Sequence, residues 1–382
     1  MSTYELDKSQ WGGVERFDRL LAEIRDRREE FERQHYVSDD IVQQFREIGI
    51  YRAFVPKAFG GDERSPIEFL LAIEALATAD GSAAWVASFG VCESYLGGLP
   101  LEQVEKIWAN PDDVFAGAMF PLQPSKRVGD SYHLSGRWKW ASGCMSADRI
   151  GVGIMPDDEG AFPRMAVLPA EQVTIDTDSW NAHGMAGTGS FDIVIEHAEV
   201  PAELTFRRGG DKTPAGPFFR YPTIAIAGQV LAVTSLGLAR AALDIVIEGA
   251  QQWTSATGAP SIGDRPYVQM EMGKAEARLQ SARLFFYHAI EVAWDKLCAG
   301  EELDEHTRSM LRLSCTHVTR ECAAVTQAAY AVSGMQAGEY ANHLSRCWRD
   351  VHMPTQHAFM GEIMYQNAGA LLLGRDAPPG YL

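Results

Sequence analysis

The spacing of apolar residues changes twice along the chain, and the order of those changes limits the fold more than any other feature. Up to about residue 111 the spacing is helical: Phe17, Leu20, Leu21 and Ile24, then Ile41, Val42, Phe45 and Ile48, then Phe69, Leu70, Ile73, Leu76 and Ala77. A further helix is expected from Ala83 to Leu99, after the stop at Asp80-Gly81-Ser82. Near Asp112 the period drops to two. Tyr132, Leu134, Gly136, Trp138, Trp140 and Ser142 fall on one strand face, with His133, Ser135, Arg137 and Lys139 on the other. Met165 with Val167, and Phe191, Ile193 and Ile195, alternate in the same way. From Tyr221 the helical spacing returns. Val268, Met272, Ala275, Leu279, Ala282, Phe286, Ala289 and Ala293 step by four and three, a seam over about 30 residues, or roughly 45 Å of helix. An uncovered seam of this length predicts self-association, and a homotetramer is expected. The pattern predicts an α+β chain: an α-helical domain over 1–111, a β domain over 112–210 and a bundle of about four long helices over 211–382.

Several function classes drop out. Formal charge is −17, and the one basic run, RDRR at 25–28, sits among acids, so no nucleic-acid partner is expected. Tyr221 to Ala239 is 19 residues without a charge, yet it carries Gln229, Thr234 and Ser235 and reads as a helix inside a bundle, not a membrane span. MSTYELDKSQ lacks a basic start followed by an apolar core, so a cytoplasmic protein is expected. The six cysteines include no CxxC pair, and HExxH is absent, which predicts reduced thiols and no metal. There is no GxSxG, Walker or GxGxxG sequence. GTGS (187–190) is too short for a phosphate loop and leads into a strand.

Two clusters carry chemistry. RWKWASG (137–143) puts two tryptophans and a serine on one predicted face, either as a floor for a flat aromatic cofactor or as an aromatic core. NHLSRCWRDVHMPTQH (342–357) gathers His343, His352 and His357 with Arg346, Arg349 and Asp350. It suits proton transfer near neutrality, or it is a solvated helix end.

Four segments in register then resemble the acyl-CoA dehydrogenase superfamily over nearly the whole chain. They are YRAFVPKAFGGDERSPIEFLLAIEALATADGSAAW (51–85), LSGRWKWASG (134–143), GMAGTGSFDIVIEHAEVP (184–201) and SRCWRDV (345–351). The resemblance implies an N-terminal helical domain, a central β-barrel-like domain and a C-terminal four-helix bundle. Ala358 occupies the position of many members' catalytic glutamate, and SATGAPSIGDRPYVQ (255–269) replaces their RxxFG sequence. The chain is more similar to the two-component flavin-dependent monooxygenases, with Trp180, Gly184 to Ser190, the W-x-W-A-S-G strand and the RCWRD segment as shared marks.

That branch implies a reduced flavin supplied by a separate NAD(P)H:flavin reductase, through diffusive transfer, with FADH2 preferred over FMNH2. It implies O2 as co-substrate, a flavin C4a-hydroperoxide, and one oxygen atom inserted into a small aromatic substrate, an indole-type compound among the candidates. A flavoprotein acyl-CoA dehydrogenase and a non-catalytic flavin-binding member are the alternatives. Residue by residue, the resemblance implies Trp140 and Ser142 against the flavin ring, with Ser142 donating to N5. Thr188, Gly189 and Ser190 would lie along the ring edge or ribityl side, their backbone amides donating. His357 would hold or protonate the distal peroxide oxygen. Phenol-hydroxylating relatives place a histidine near position 92. Here Cys92 stands there, with Glu93 beside it to accept an N–H, and Phe89 and Phe120 as aromatic walls; Trp85, Tyr95 and Met119 are neighbours. Arg349 and Asp350 are expected as a structural ion pair, and His343 and Arg346 as contacts to a neighbouring element or subunit.

Overall fold

The computed structural model describes residues 4–157, 162–250, 252, 258–378 and 380–382. Residues 1–3 of the opening decapeptide and 255–257 of the segment at 255–269 lie outside it. The N-terminal helices are α1 (Val14–Asp26), α2 (Arg28–Gln34), α3 (Asp39–Glu47), α4 (Pro66–Ala79), α5 (Gly81–Ala87), α6 (Glu93–Leu96) and α7 (Leu101–Ile107). Ser65 and Glu68 start α4 with reciprocal side-chain and backbone bonds, and Pro66 sits at its first position. Asp80 ends α4 and caps α5 by accepting from the Ala83 N–H at 2.9 Å.

The helix expected from Ala83 to Leu99 is broken. Its middle, Ser88–Cys92, is a 3-10 turn between α5 and α6. There Gly90 passes so near the Ile50 carbonyl that a Cβ would lie 2.5 Å from that oxygen. The tighter turn carries the chain past this contact.

The strands are β1 (Phe115–Val128), β2 (Ser131–Ala141), β3 (Arg149–Pro156), β4 (Arg164–Pro169), β5 (Thr174–Asp176), β6 (Phe191–Pro201) and β7 (Thr205–Phe206). They form one seven-stranded sheet in the order β5-β6-β2-β1-β3-β4-β7. β1 and β3 run parallel; the other neighbours are antiparallel. Among the described residues β5 and β7 are edges, so the barrel-like expectation takes the form of an open mixed sheet. Trp138, Ile150, Val152, Leu168 and Ile193 fill its own core.

The C-terminal helices are α8 (Pro217–Arg220), α9 (Thr223–Gly249), α10 (Pro266–Cys298), α11 (Glu305–Val332), α12 (His343–Thr355) and α13 (Ile363–Leu372). α9 is long and apolar enough to cross a membrane, but its side chains are buried against α4, α11 and α12. Phe69 and Leu76 of α4 share one core with Val233 and Leu236 of α9 and Phe286 of α10, so the two helical blocks are held together by common packing. The seam of α10 faces inward in the same way. Val268, Ala275, Leu279, Ala282, Phe286, Ala289 and Ala293 are buried beneath α9, α11 and α4 of the same chain. A seam satisfied within its own chain gives no argument for a tetramer.

Candidate active site

The end of β2 departs from the alternation read in the sequence. Pairing with β6 shifts register between Trp138 and Ala141, so one residue more is carried on β2 than on its partner. Trp138 stays fully buried and donates its indole N–H to the Gly153 carbonyl at 2.7 Å. Trp140 adopts φ +65° and leaves its ring 63% exposed. The two tryptophans therefore do not share a face: Trp138 is core and Trp140 is surface. The bulge leads into Ser142, which is buried.

Ser142 heads a line of hydroxyls. Its Oγ accepts from the Trp85 indole N–H at 3.2 Å and lies 2.6 Å from Ser190 Oγ, which lies 2.7 Å from Thr188 Oγ1. Thr188 donates to the Met185 carbonyl at 2.8 Å. Each hydroxyl has one hydrogen, so this last bond fixes all the others. Thr188 has spent its proton, so Ser190 donates to Thr188, and Ser142 donates to Ser190. The relay runs one way, from Trp85 to Met185. Ser142 is left with a lone pair and no free hydrogen, so it offers an acceptor where a donor was expected.

The GTGS segment behind it also differs from expectation. The Gly189 N–H donates to the His35 carbonyl at 2.8 Å and the Thr188 N–H to Met185 at 3.1 Å, so those amides are committed within the fold. The preceding loop is clamped from several sides. A Cβ on Gly184 would lie 2.4 Å from the Arg349 carbonyl oxygen, and one on Gly187 would lie 2.9 Å from Phe31 Cβ and 3.1 Å from Ser82 Cβ.

Arg349 and Asp350 do not pair with each other. Asp350 accepts from the Met185 N–H at 2.6 Å, while Arg349 bonds Glu32 at 2.7 Å. Arg346 also bonds Glu32 and lies 3.6 Å from Asp80. Helical spacing puts these groups on the face of α12 that meets α2 and α5 within one chain. His343 lies 3.7 Å from the Cys347 sulfur on the same helix. Burial, with the neighbouring Asp80 charge, pushes the Asp350 carboxyl up to about 7.

His357 lies just beyond α12. Its Nδ1 accepts from the Phe359 N–H at 3.2 Å, which leaves the neutral ring's hydrogen on Nε2. Burial, with the Arg208 charge, holds its pKa down to about 4. At neutral pH the side chain is thus an uncharged donor. Ala358 is exposed. The Phe359 ring lies 4.8 Å from the His357 ring, and the Arg208 guanidinium carbon lies 5.7 Å from the Phe359 centroid. Arg208 was not foreseen. It follows β7 and also reaches Tyr95 Oη at 3.4 Å and Met119 Sδ at 3.8 Å. The only signal for it in the sequence is a pair of arginines before Gly-Gly in an otherwise acidic chain.

The stretch from Trp85 to Tyr95 connects the relay to Arg208. Its 3-10 turn, with Phe89 and Cys92, packs on β1 and α9. Cys92 is buried, its thiol pushed up chiefly by burial. Phe120 is 56% exposed. Glu93 is buried and accepts from the indole N–H of the protein's own Trp108. It thus binds an indole nitrogen as its chemistry suggested, but an internal one. Burial pushes its carboxyl up to about 8.

A large flat indole left open beside a buried acceptor is a surface that a flat ring with an N–H edge fits. Reduced flavin carries such an N–H at N5, so the acceptor character of Ser142 suits the reduced form. Among the described residues no cluster of His, Cys, Asp or Glu could hold a metal.

Residues 16–102 match the acyl-CoA dehydrogenase N-terminal domain and residues 229–362 the acyl-CoA dehydrogenase C-terminal domain. The chain is 48% identical to the indole-3-acetate monooxygenase of Pseudomonas putida, over 96% of this chain and 95% of that one. It is 44% identical to the indole-3-acetate monooxygenase of Acinetobacter baumannii, with the same coverage. The crystal structure of 3-HSA hydroxylase from Rhodococcus sp. RHA1 superposes with a TM-score of 0.89 at 25% identity, covering 96% of this chain and 98% of that one.

Proposed function

Because the chain belongs to the two-component flavin-dependent monooxygenase branch of the acyl-CoA dehydrogenase family, we propose that it oxygenates a small indole-type substrate bearing an acidic arm. It is a reduced-flavin-dependent aromatic monooxygenase, the oxygenase component that works with a separate flavin reductase. Reduced flavin, when bound, supplies the two electrons that let one atom of O2 enter the substrate while the other leaves as water. In our reading the flavin is FADH2 in preference to FMNH2, it arrives by diffusion, and the enzyme works in the cytoplasm. Homotetramer formation is part of the same reading. It now rests on the exposed Tyr267, Met270, Leu284 and Val292 along the outer side of α10.

The roles follow from protons and exposure. Trp140 would floor the flavin ring. Ser142 accepts from its N–H edge, and Ser190 and Thr188 hold the Ser142 hydrogen away from the site. The His357 Nε2–H would donate to the oxygen being transferred, and burial, with the Arg208 charge, keeps that ring neutral. Phe89, Cys92, Tyr95, Met119 and Phe120 supply walls for a flat apolar body. Glu93 is left out of this set, since its oxygen serves Trp108.

One observation carries the choice of oxygen transfer over acyl-thioester dehydrogenation. The residue after His357 is an exposed alanine, and the histidine beside it is an uncharged donor, so no carboxylate base stands there. The test supplies NADH, a generic flavin reductase and 18O2, with indole and indole-3-acetate as substrates and FAD compared with FMN. One 18O atom per product is expected. Product without the label, or anaerobic oxidation of an acyl thioester, would sink the reading.

A further inference from the structure

We propose that Arg208, assisted by the Tyr95 hydroxyl, is the residue that recognises the substrate's carboxylate. This deepens the functional reading above and rests on it for the identity of the substrate body. Arg208 points its fork at neutral groups: one nitrogen lies 3.4 Å from Tyr95 Oη and another 3.8 Å from Met119 Sδ. Its guanidinium carbon lies 4.8 Å from the Tyr95 ring centroid. Among the described residues no carboxylate pairs with it. Arg346 and Arg349, by contrast, share Glu32.

The surroundings add to the excess. Lys212, on the same turn, is largely buried and donates to Ser94 Oγ and the Tyr221 carbonyl, both at 3.2 Å. Burial brings it down to about 8. Asp211 between them is exposed. Arg312 lies 5.5 Å from the Phe359 centroid, and its Nη1 has no hydrogen-bond partner. Arg312 is sealed from solvent, so it adds to the field without being reachable. In a chain of net charge −17 this local positive excess is out of character. A half-buried guanidinium that meets only a phenol, a thioether and two rings is most stable when a ligand brings the missing charge.

Position then selects the ligand. Arg208 and His357 both abut Phe359, so one phenyl ring separates the charge from the oxygen-handling imidazole. The Arg208 charge also reaches the Cys92 thiol. A ligand that meets both residues has a flat aromatic body at His357 and a short acidic arm at Arg208. The chemical class is an aryl-acetate anion, with the Tyr95 O–H as second donor to the carboxylate.

The test compares indole-3-acetate with indole, in the wild type, Arg208→Gln and Arg208→Lys. It uses the full chain with supplied reduced flavin, and melting temperature confirms that each variant folds. In Arg208→Gln the ratio of kcat/KM for indole-3-acetate over indole should fall about 10- to 100-fold. Lysine should restore part of it, since it keeps the charge but loses the fork. An unchanged ratio would overturn the assignment. Should the wild type oxidise neither compound, the functional reading falls. The dissociation constant of indole-3-acetate by calorimetry then still decides Arg208: weaker binding in Arg208→Gln supports it, and equal binding in both proteins overturns it.

Discussion

Two polar regions lie along α12 and just beyond it, and they are built on opposite plans. In the N-terminal region Arg346, Arg349 and Asp350 meet Glu32, Asp80 and the Met185 N–H, and every main charge has a partner inside the chain. Past the C-terminus, His357 keeps its ring hydrogen on Nε2 and Arg208 presents a guanidinium to neutral groups. Closed networks hold structure together, and removing one member strands the rest. Open ones wait for a ligand. The difference teaches that burial and charge density alone do not mark a site; an unfinished set of partners does.

Substitutions should separate the two regions. The largest effect is expected in the closed one. Arg346→Met leaves Glu32 short of a donor and Asp80 short of a charge, and should cost about 3–5 kcal/mol, read as a fall in thermal midpoint. A midpoint equal to wild type would break the comparison.

His357→Ala should spare the midpoint and reduce product formation about 10²- to 10³-fold, the loss expected for one positioned donor, with NADH diverted to H2O2. Since the His357 pKa is held down to about 4, the wild-type rate should not change on its account from pH 8 down to about 5, and should fall only near 4. A drop centred near pH 6.5 would mean the ring is not shielded as the fold implies.

Ser142→Ala removes the acceptor for the Trp85 N–H and the donor to Ser190, at about 1–3 kcal/mol. H2O2 formed per product should rise roughly 5- to 150-fold, since each 1.4 kcal/mol is about a factor of ten. Unaltered coupling would remove Ser142 from the flavin edge.

A titration sharpens the contrast through pH. Glu93 titrates at about 8 in the fold and near 4.3 when unfolded. Its contribution is complete below the unfolded value and drains away as pH rises toward 8, by about 1.4 kcal/mol per unit. Glu93→Gln, which can still accept from Trp108, should flatten that slope between pH 5 and 8 in melting experiments. Parallel curves for the two proteins would show that the carboxyl is ionised throughout.

The alternation from Tyr132 to Trp138 could be read directly from the sequence, because a regular strand repeats every two residues. It failed at Trp140, because a bulge has no period. Ser142, Thr188 and Ser190 were each marked by resemblance, but the bond that joins Ser142 to Ser190 spans 48 positions, and no local pattern encodes it. The seam of α10 was read correctly as apolar and wrongly as uncovered, since a stripe does not say which helix will cover it. Arg208 sits on a turn, where isolated charges carry no pattern at all. Only the third dimension reveals that its neighbours are neutral.

The clamped glycines have a consequence for traffic. A loop pinned by Phe31, Ser82 and the Arg349 carbonyl is a wall, with no slack to swing aside. The exposed rings of Trp140 and Phe120 and the Arg207–Gly210 turn, where a Cβ on Gly209 would meet nothing, carry no such clamp. If Arg208 recognises a carboxylate as proposed, this positive and aromatic side sorts an acidic aromatic guest on arrival, before it meets the oxygen chemistry.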